Sequence, residues 1–373
     1  MKRKLWPDLA ILTAVVAFSM NAPATAAPDD AAQTARPPLK DPSILLIGDE
    51  AVHAELALSP DDSTAINSLL REYNDLLLAI RDTGAAGADA SLRPSIEELR
   101  DKLKQQLTKP QQERFGNLVL QAQGYDGLTR DDVAKQLALT TEQRTHIAGI
   151  MDDFWTATAE LQKESKSKEP EHLEAELKKL QADRHRRVLA ELDARQERIW
   201  AKMLGAPFNF SAVRASPAWA PEFESVDEWV NSPPRTIESL RGQVVVVHFF
   251  AFGCINCIHN YPWYIQWQEE LDGKGVKIIG IHTPETKTEA DNEQLKKSLA
   301  KNDLTFAVAV DKSKTNWNAW HNNIWPSVYL VDKQGRLRYW WYGELDWQGS
   351  GQQKVARQRI DQLLAEPDPE PAL

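Results

Sequence analysis

The residues best suited to chemistry are the chain's two cysteines, Cys254 and Cys257, which are separated by Ile255 and Asn256 and follow the apolar run Val244-Val245-Val246-Val247. Two intervening residues on the first turn of a helix let both sulfurs close into a disulfide. The helix N-terminus meanwhile stabilises a thiolate on the first cysteine and lowers its pKa. Lowering it from about 8.5 to about 7 is worth roughly 2 kcal/mol. Cys254 is therefore the expected nucleophile, and Cys257 the resolving thiol that attacks the mixed disulfide. A structural bridge across two residues would close almost no loop and stabilise little, which favours a redox-active disulfide between Cys254 and Cys257 over an inert staple. Metal ligation is the remaining alternative for the pair.

Rival chemistries can be tested on the same residues. Covalent haem needs a histidine directly after the second cysteine, and here Ile258 intervenes before His259, so haem attachment is excluded. A peroxiredoxin would place Thr three residues and Pro seven residues before its reactive cysteine; those positions hold Ala251 and Val247. Thiolate and imidazole suit copper or zinc, but copper-handling relatives of such domains resemble a Cys-x-x-x-Cys spacing that is absent here. We expect no metal and no cofactor.

The N-terminus reads Met1-Lys2-Arg3-Lys4, then an apolar stretch from Leu9 to Met20, then Ala24-Thr25-Ala26. That order of charged, apolar and small residues is a secretory signal peptide over residues 1–26. The stretch is too short to span a bilayer, and no cysteine follows it to carry a lipid anchor, so the expectation is a periplasmic or secreted protein that is not inserted in the membrane once the signal is cleaved. The formal charge of −10 becomes about −12 once Lys2, Arg3, Lys4 and Asp8 leave. Nucleic acid and anionic membrane surfaces are poor partners for such a chain.

Composition divides the remainder. Residues 27–57 are expected to form a mobile leader, its first part rich in Ala, Pro and Asp. Residues 58–205 carry Leu, Ala, Glu, Lys, Arg and Gln at helical spacing, interrupted by glycine at Thr83 to Gly87 and more softly at Gly124 to Gly127. The charged run Lys163 to Glu171 reads as a solvated helix face or turn. A linker is expected over 206–216, an α/β domain over 217–366 and an acidic tail over 367–373. The fold class is thus an all-helical N-terminal domain followed by an α/β domain.

A short motif repeats in the helical half. Leu107-Thr108-Lys109-Pro110-Gln111 recurs as Leu139-Thr140-Thr141-Glu142-Gln143, as Leu192-Asp193-Ala194-Arg195-Gln196 and, most loosely, as Leu58-Ser59-Pro60-Asp61-Asp62. Each reads as a capping box, with Thr108, Thr140, Asp193 or Ser59 at the N-cap and the Gln or Asp three residues on reaching back. Phe115 and Trp200 fall at matching places after the Gln, as expected of a duplicated pair of helical hairpins. The pattern resembles the Leu-Thr-x-x-Gln motif of the Spy and CpxP family of periplasmic stress proteins, which implies a client-binding surface; the plainer reading is a helical spacer or oligomerisation domain.

In the second half, strands are expected at Val244 to Phe250, Val276 to Ile281, Phe306 to Val310, Ser327 to Val331 and Leu337 to Trp341, the last two forming a hairpin across Lys333-Gln334-Gly335. Helices fit Cys257 to Leu271, Glu289 to Lys301 and Gln352 to Leu364. This is the order of a thioredoxin-like domain with an extra early strand region.

Here the residues carry a family. Trp229-Val230-Asn231-Ser232, Leu240-Arg241-Gly242, Cys254-Ile255-Asn256-Cys257-Ile258, His282-Thr283-Pro284-Glu285, Trp325-Pro326-Ser327-Val328-Tyr329-Leu330-Val331-Asp332 and Gly343-Glu344 occur in order between about 215 and 365. Together they resemble the thioredoxin-like domain at the C-terminal end of DipZ-type proteins, also seen in NHL-repeat-containing proteins. The resemblance implies a soluble thiol-disulfide oxidoreductase domain of the TlpA-like group, without the membrane electron carrier that DipZ-type proteins place upstream. The expected partners are thiols or disulfides of envelope proteins, with a membrane electron-donor protein as a further candidate and the direction of exchange left open. It also implies that Pro326 is the cis-proline facing the sulfurs, with Trp325 contacting substrate or packing in the core. His248 lies six residues before Cys254, where many thioredoxins place a buried acid. It is expected either to take or deliver the proton of Cys257, or to be satisfied by a backbone partner. Glu285 is a candidate second base.

The sequence is thus expected to encode an exported dithiol-disulfide exchanger, with Cys254, Cys257 and His248 as catalytic residues and Trp325 and Pro326 as the substrate groove. Its rival is a non-catalytic chaperone-like binding protein that uses the thioredoxin fold for recognition. Eleven tryptophans lie between Trp200 and Trp347 and are expected mainly in core and rim packing. Ile255-Asn256 is neither the dipeptide of strong oxidants nor the Gly-Pro of reducing thioredoxins.

Overall fold

A computed structural model describes residues 41–82, 90–164, 170–214, 216 and 218–368. The expected signal peptide, the first part of the expected leader, the expected Thr83-to-Gly87 turn, the middle of the Lys163-to-Glu171 run and the last residues of the acidic tail lie outside the described residues. The chain divides into two compact units, which meet in sequence between Ala215 and Ser216.

The helical unit begins earlier than its composition suggests. Ser43–Ile47 (α1) and Glu50–Glu55 (α2) are helices within the expected leader. Ile44, Leu46, Ile47 and Val52 are buried, because an apolar run of this kind gains more from packing than it loses in chain entropy. Pro60–Glu72 (α3), Asn74–Ala79 (α4), Arg93–Gln105 (α5), Lys109–Gln123 (α6), Asp131–Leu137 (α7), Thr141–Glu164 (α8), Pro170–Glu191 (α9) and Ala194–Leu204 (α10) follow. A short 3-10 segment, Gly124–Thr129, accounts for the softer glycine interruption, with Gly124 at φ 56°.

The four capping motifs start α3, α6, α8 and α10. Ser59 and Asp62 cap reciprocally, as do Asp193 and Gln196. The backbone N–H groups of Thr108 and Thr140 donate to Gln111 Oε1 at 2.9 Å and Gln143 Oε1 at 3.0 Å. The glutamines also join copies in pairs. Gln111 Nε2 donates to Leu56 O at 3.2 Å, beside the first copy, and the amides of Gln143 and Gln196 exchange hydrogen bonds at 2.9 and 3.0 Å. The motif therefore both starts helices and fixes their neighbours, a structural use of the repeat. The expected linker is also held in place. Gln121 Nε2 donates to Leu204 O and Ala206 O, Phe210 is buried, and Arg214 N donates to Asp49 Oδ2 at 2.6 Å.

The second unit is built on a six-stranded sheet: Glu228–Val230 (β1), Val244–Phe250 (β2), Val276–His282 (β3), Ala307–Val310 (β4), Ser327–Val331 (β5) and Leu337–Tyr342 (β6). The strand order is β1-β4-β3-β2-β5-β6. β2–β3 and β3–β4 are parallel, whereas β1–β4, β2–β5 and β5–β6 are antiparallel. The helices are Ile255–Leu271 (α11), Asn292–Lys301 (α12), Thr315–Ala319 (α13) and Gln352–Ala365 (α14).

β2 is buried along its whole length because both faces are covered. Val244, Val246 and Phe250 pack with Tyr264 and Trp267 of α11 and with Ala356 and Ile360 of α14. Phe249, on the other face, makes edge contacts with Trp317, Trp320 and Tyr329. The β5–β6 hairpin closes with Gly335 at φ 79°, a conformation glycine adopts freely.

Candidate redox site

Register brings the site together at one end of the sheet. Phe249 pairs with Ser327 and Ser327 with Tyr342, so the exit of β2, the entry of β5 and the exit of β6 are neighbours. Cys254 is the N-cap of α11, in extended conformation at φ −72° and ψ 114°. Its N–H donates to Ala251 O at 3.1 Å, and its carbonyl accepts the N–H groups of Cys257 and Ile258, both at 3.1 Å.

Both cysteines are free thiols; Cys254 is half-buried and Cys257 is 1% exposed. The Cys257 thiol donates to the Cys254 sulfur, and this bond is the main reason the Cys254 pKa falls to about 7. Partial burial opposes the shift, the N–H groups of Cys257 and Asn256 assist it, and the charge of Glu285 opposes it. Burial, followed by the neighbouring Cys254, pushes the Cys257 thiol far upward. One sulfur is thereby a half-exposed nucleophile and the other a buried proton carrier.

Glu285 is exposed, and its charge raises the Cys254 pKa instead of assisting ionisation. Glu285→Gln is expected to lower that pKa and to speed Cys254 alkylation at pH 6 roughly two- to threefold, less so in high salt. Iodoacetamide rate profiles check this; an unchanged or raised pKa contradicts it.

His248 occupies β2 between Gly280 of β3 and Val328 of β5, fully buried. Its ring stacks on Tyr264 with centroids 4.2 Å apart and meets Phe306 edge-on at 5.0 Å. Gly280 makes the room, since a Cβ there would lie 3.0 Å from His248 Nε2 and 2.9 Å from Phe250 Cε1. Neither ring nitrogen has a hydrogen-bond partner among the described residues, so the expected backbone partner is not found. Burial pushes the His248 pKa down to about 3. An imidazole so held stays neutral at working pH and is a poor base for the Cys257 proton, which weighs against the relay expected from its position.

The Trp325–Pro326 peptide is cis and leads into β5. Trp325 is half-buried: its ring lies 4.0 Å from that of Trp317, Lys314 Nζ sits 5.2 Å from its centre, and its Nε1–H donates to Thr283 O at 3.1 Å. On the far side of the turn, Asn260 of α11 clamps the chain after β6, donating to Gly343 O at 3.2 Å and accepting from Leu345 N at 2.8 Å. Glu344 pairs with His259 at 2.9 Å.

The carboxylate that sequence reasoning missed is Glu289. It is buried, and its Oε1 accepts the N–H of Gly253 at 2.9 Å, next to Cys254 in the chain. The available signal was Thr286-Lys287-Thr288-Glu289, a capping-box spacing: Thr286 N and Oγ1 both donate to Glu289 Oε2.

Residues 218–340 match the AhpC/TSA family. The chain is 32% identical over 153 residues to Protein DipZ of Mycobacterium bovis, covering 40% of this chain and 21% of that protein. It is 25% identical over 146 residues to the thiol-disulfide oxidoreductase YkuV of Bacillus subtilis, covering 39% and 94%. It is also 28% identical over 127 residues to human NHL repeat-containing protein 2, covering 33% and 18%. The chain thus spans about a fifth of the length of the DipZ and NHL-repeat relatives. Its C-terminal part is an AhpC/TSA thioredoxin-like domain, homologous to DipZ and to proteins named thiol-disulfide oxidoreductases.

Proposed function

We propose that the protein exchanges dithiol for disulfide on exported proteins, with Cys254 attacking and Cys257 resolving. The observation that carries this reading is the asymmetry of the pair: a half-exposed thiol with a pKa of about 7 receives a hydrogen bond from a buried thiol held protonated. In the reductive direction, the Cys254 thiolate attacks a client disulfide, forming a mixed disulfide and releasing one client thiolate. Cys257 then gives up its proton and attacks the Cys254 sulfur, which leaves the second client thiolate and an oxidised pair. The protons end on the two client sulfurs. The oxidative direction is the reverse.

Pro326 and Trp325 would shape the groove beside these sulfurs. The large apolar side chains exposed among the described residues are Ile255, Ile324 and Trp347. They follow β2, precede β5 and follow β6, the three strand ends that register makes neighbours. An apolar rim at the reactive turn suits a partly unfolded client segment. Peroxidase chemistry is not part of the proposal, since Ala251 and Val247 stand where such an enzyme would need Thr and Pro. Export rests on the N-terminal pattern of residues 1–26, and no helix among the described residues is long and apolar enough to cross a membrane.

The test is reduction of insulin by dithiothreitol. The protein is expected to accelerate it catalytically; binding of insulin without acceleration would favour the recognition-module reading instead.

A further inference from the structure

We propose that Glu289 is the positioning residue of the Cys254 turn, a buried carboxylate that ties this turn to the loop following β3. The proposal deepens the redox reading and rests on it. Glu289 is 5% exposed, so an ionised carboxylate there must have its lone pairs filled by donors. Four donors converge on it. Oε1 accepts Gly253 N at 2.9 Å, and Oε2 accepts Glu285 N at 3.0 Å, Thr286 N at 2.8 Å and Thr286 Oγ1 at 3.0 Å. A carboxylate, which only accepts, matches that set, whereas a glutamine presents one oxygen and two N–H groups to it.

The turn is shaped for this contact. A Cβ at Gly253 would stand 2.7 Å from Glu289 Oε1, so only glycine lets the carboxylate reach the backbone. The backbone of Glu289 is itself fixed, since its carbonyl faces His282 Nε2 at 2.9 Å in a buried ring that lies 5.5 Å from that of Phe252. Gly253 is the residue before Cys254, and the thiolate of Cys254 is favoured by the N–H groups of Cys257 and Asn256 on the first turn of α11. Holding Gly253 therefore holds the sulfur against the amides that stabilise its charge.

The experiment is the pH–rate profile of Cys254 alkylation by iodoacetamide in the reduced full chain, read by mass spectrometry, for the wild type, Glu289→Gln, Glu289→Ala and Thr286→Val. Loosening the turn is expected to raise the apparent pKa. Alkylation at pH 7 should fall about fivefold in Glu289→Ala, the change in thiolate fraction for a rise of about one pKa unit from about 7, and by less in the other two. An unchanged pKa overturns the proposal. A lowered pKa overturns it too, because loss of a remote negative charge alone would act in that direction. If Glu289→Ala does not fold, Glu289→Gln and Thr286→Val carry the same readout. Alkylation needs no client, so the two readings fail separately: a wild type with a shifted thiol that reduces no insulin removes the exchange function, whereas active variants with wild-type profiles remove only the role of Glu289.

Discussion

Cys254→Ser is expected to reduce insulin no faster than dithiothreitol alone, whereas Cys257→Ser should still attack its clients and accumulate mixed disulfides with them. The two outcomes follow from the unequal environments of the sulfurs. With a pKa of about 7, about half of Cys254 is thiolate at pH 7, against about 1% for a thiol at an ordinary value of 9.0. The ionised fraction rises as pH increases through 7, so alkylation of Cys254 should climb across that range and level off above about pH 8. Cys257, buried and held protonated, should resist alkylation in the folded protein. Trapping gels and iodoacetamide kinetics check both statements. Retained insulin reduction by Cys254→Ser, or mixed disulfides formed through Cys257 in its place, would contradict the assignment.

His248→Leu is expected to keep the exchange activity and to remove much of the acid sensitivity of the fold. The folded imidazole has a pKa of about 3 because it is fully buried, against an ordinary value of 6.5. Below pH 6.5 the unfolded chain therefore binds a proton that the folded chain refuses until about pH 3, and stability falls as pH falls across that window. The linkage is worth about 5 kcal/mol in the limit. Leucine has no such proton and leaves no unpartnered ring nitrogens, so urea unfolding at pH 4 and pH 7 should differ less for the variant than for the wild type. Loss of exchange in a folded His248→Leu protein would restore the proton relay and refute the packing role.

Much of this architecture was readable where the signal is local. Val244 to Phe250 and Ser327 to Val331 are strands with the bounds their apolar β-branched runs suggest, and each of the four N-caps starts a helix, because capping chemistry acts over three residues. The elements that escaped depend on distant partners. β1 is a three-residue strand that exists by pairing with β4, and α13 is a five-residue helix whose Asn316 and Trp317 N–H groups are caught by the buried Asp311 at 3.1 and 2.9 Å. Residues 43–55 look like part of a leader until their apolar side chains find a core.

The site divides in the same way. Cys254 and Cys257 declare themselves by spacing, whereas the asymmetry between them follows mainly from the burial of Cys257 and its hydrogen bond to the Cys254 sulfur, with the N–H groups of the helix start assisting. His248 and Glu289 do not. The chemistry of His248 is set by rings from β2, β4's approach and α11 that surround it, and that of Glu289 by an N–H donor 36 residues earlier in the chain.

The most direct test of the account is the equilibrium of the Cys254–Cys257 pair with glutathione, read by thiol trapping in the full chain. A redox-active pair should open and close between about −120 and −270 mV, the span of exchangers from strong oxidant to thioredoxin. A value towards the lower end would make the protein a reductase supplied with electrons, and one towards the upper end an oxidant. A disulfide that stays closed against every physiological couple would contradict the exchange function.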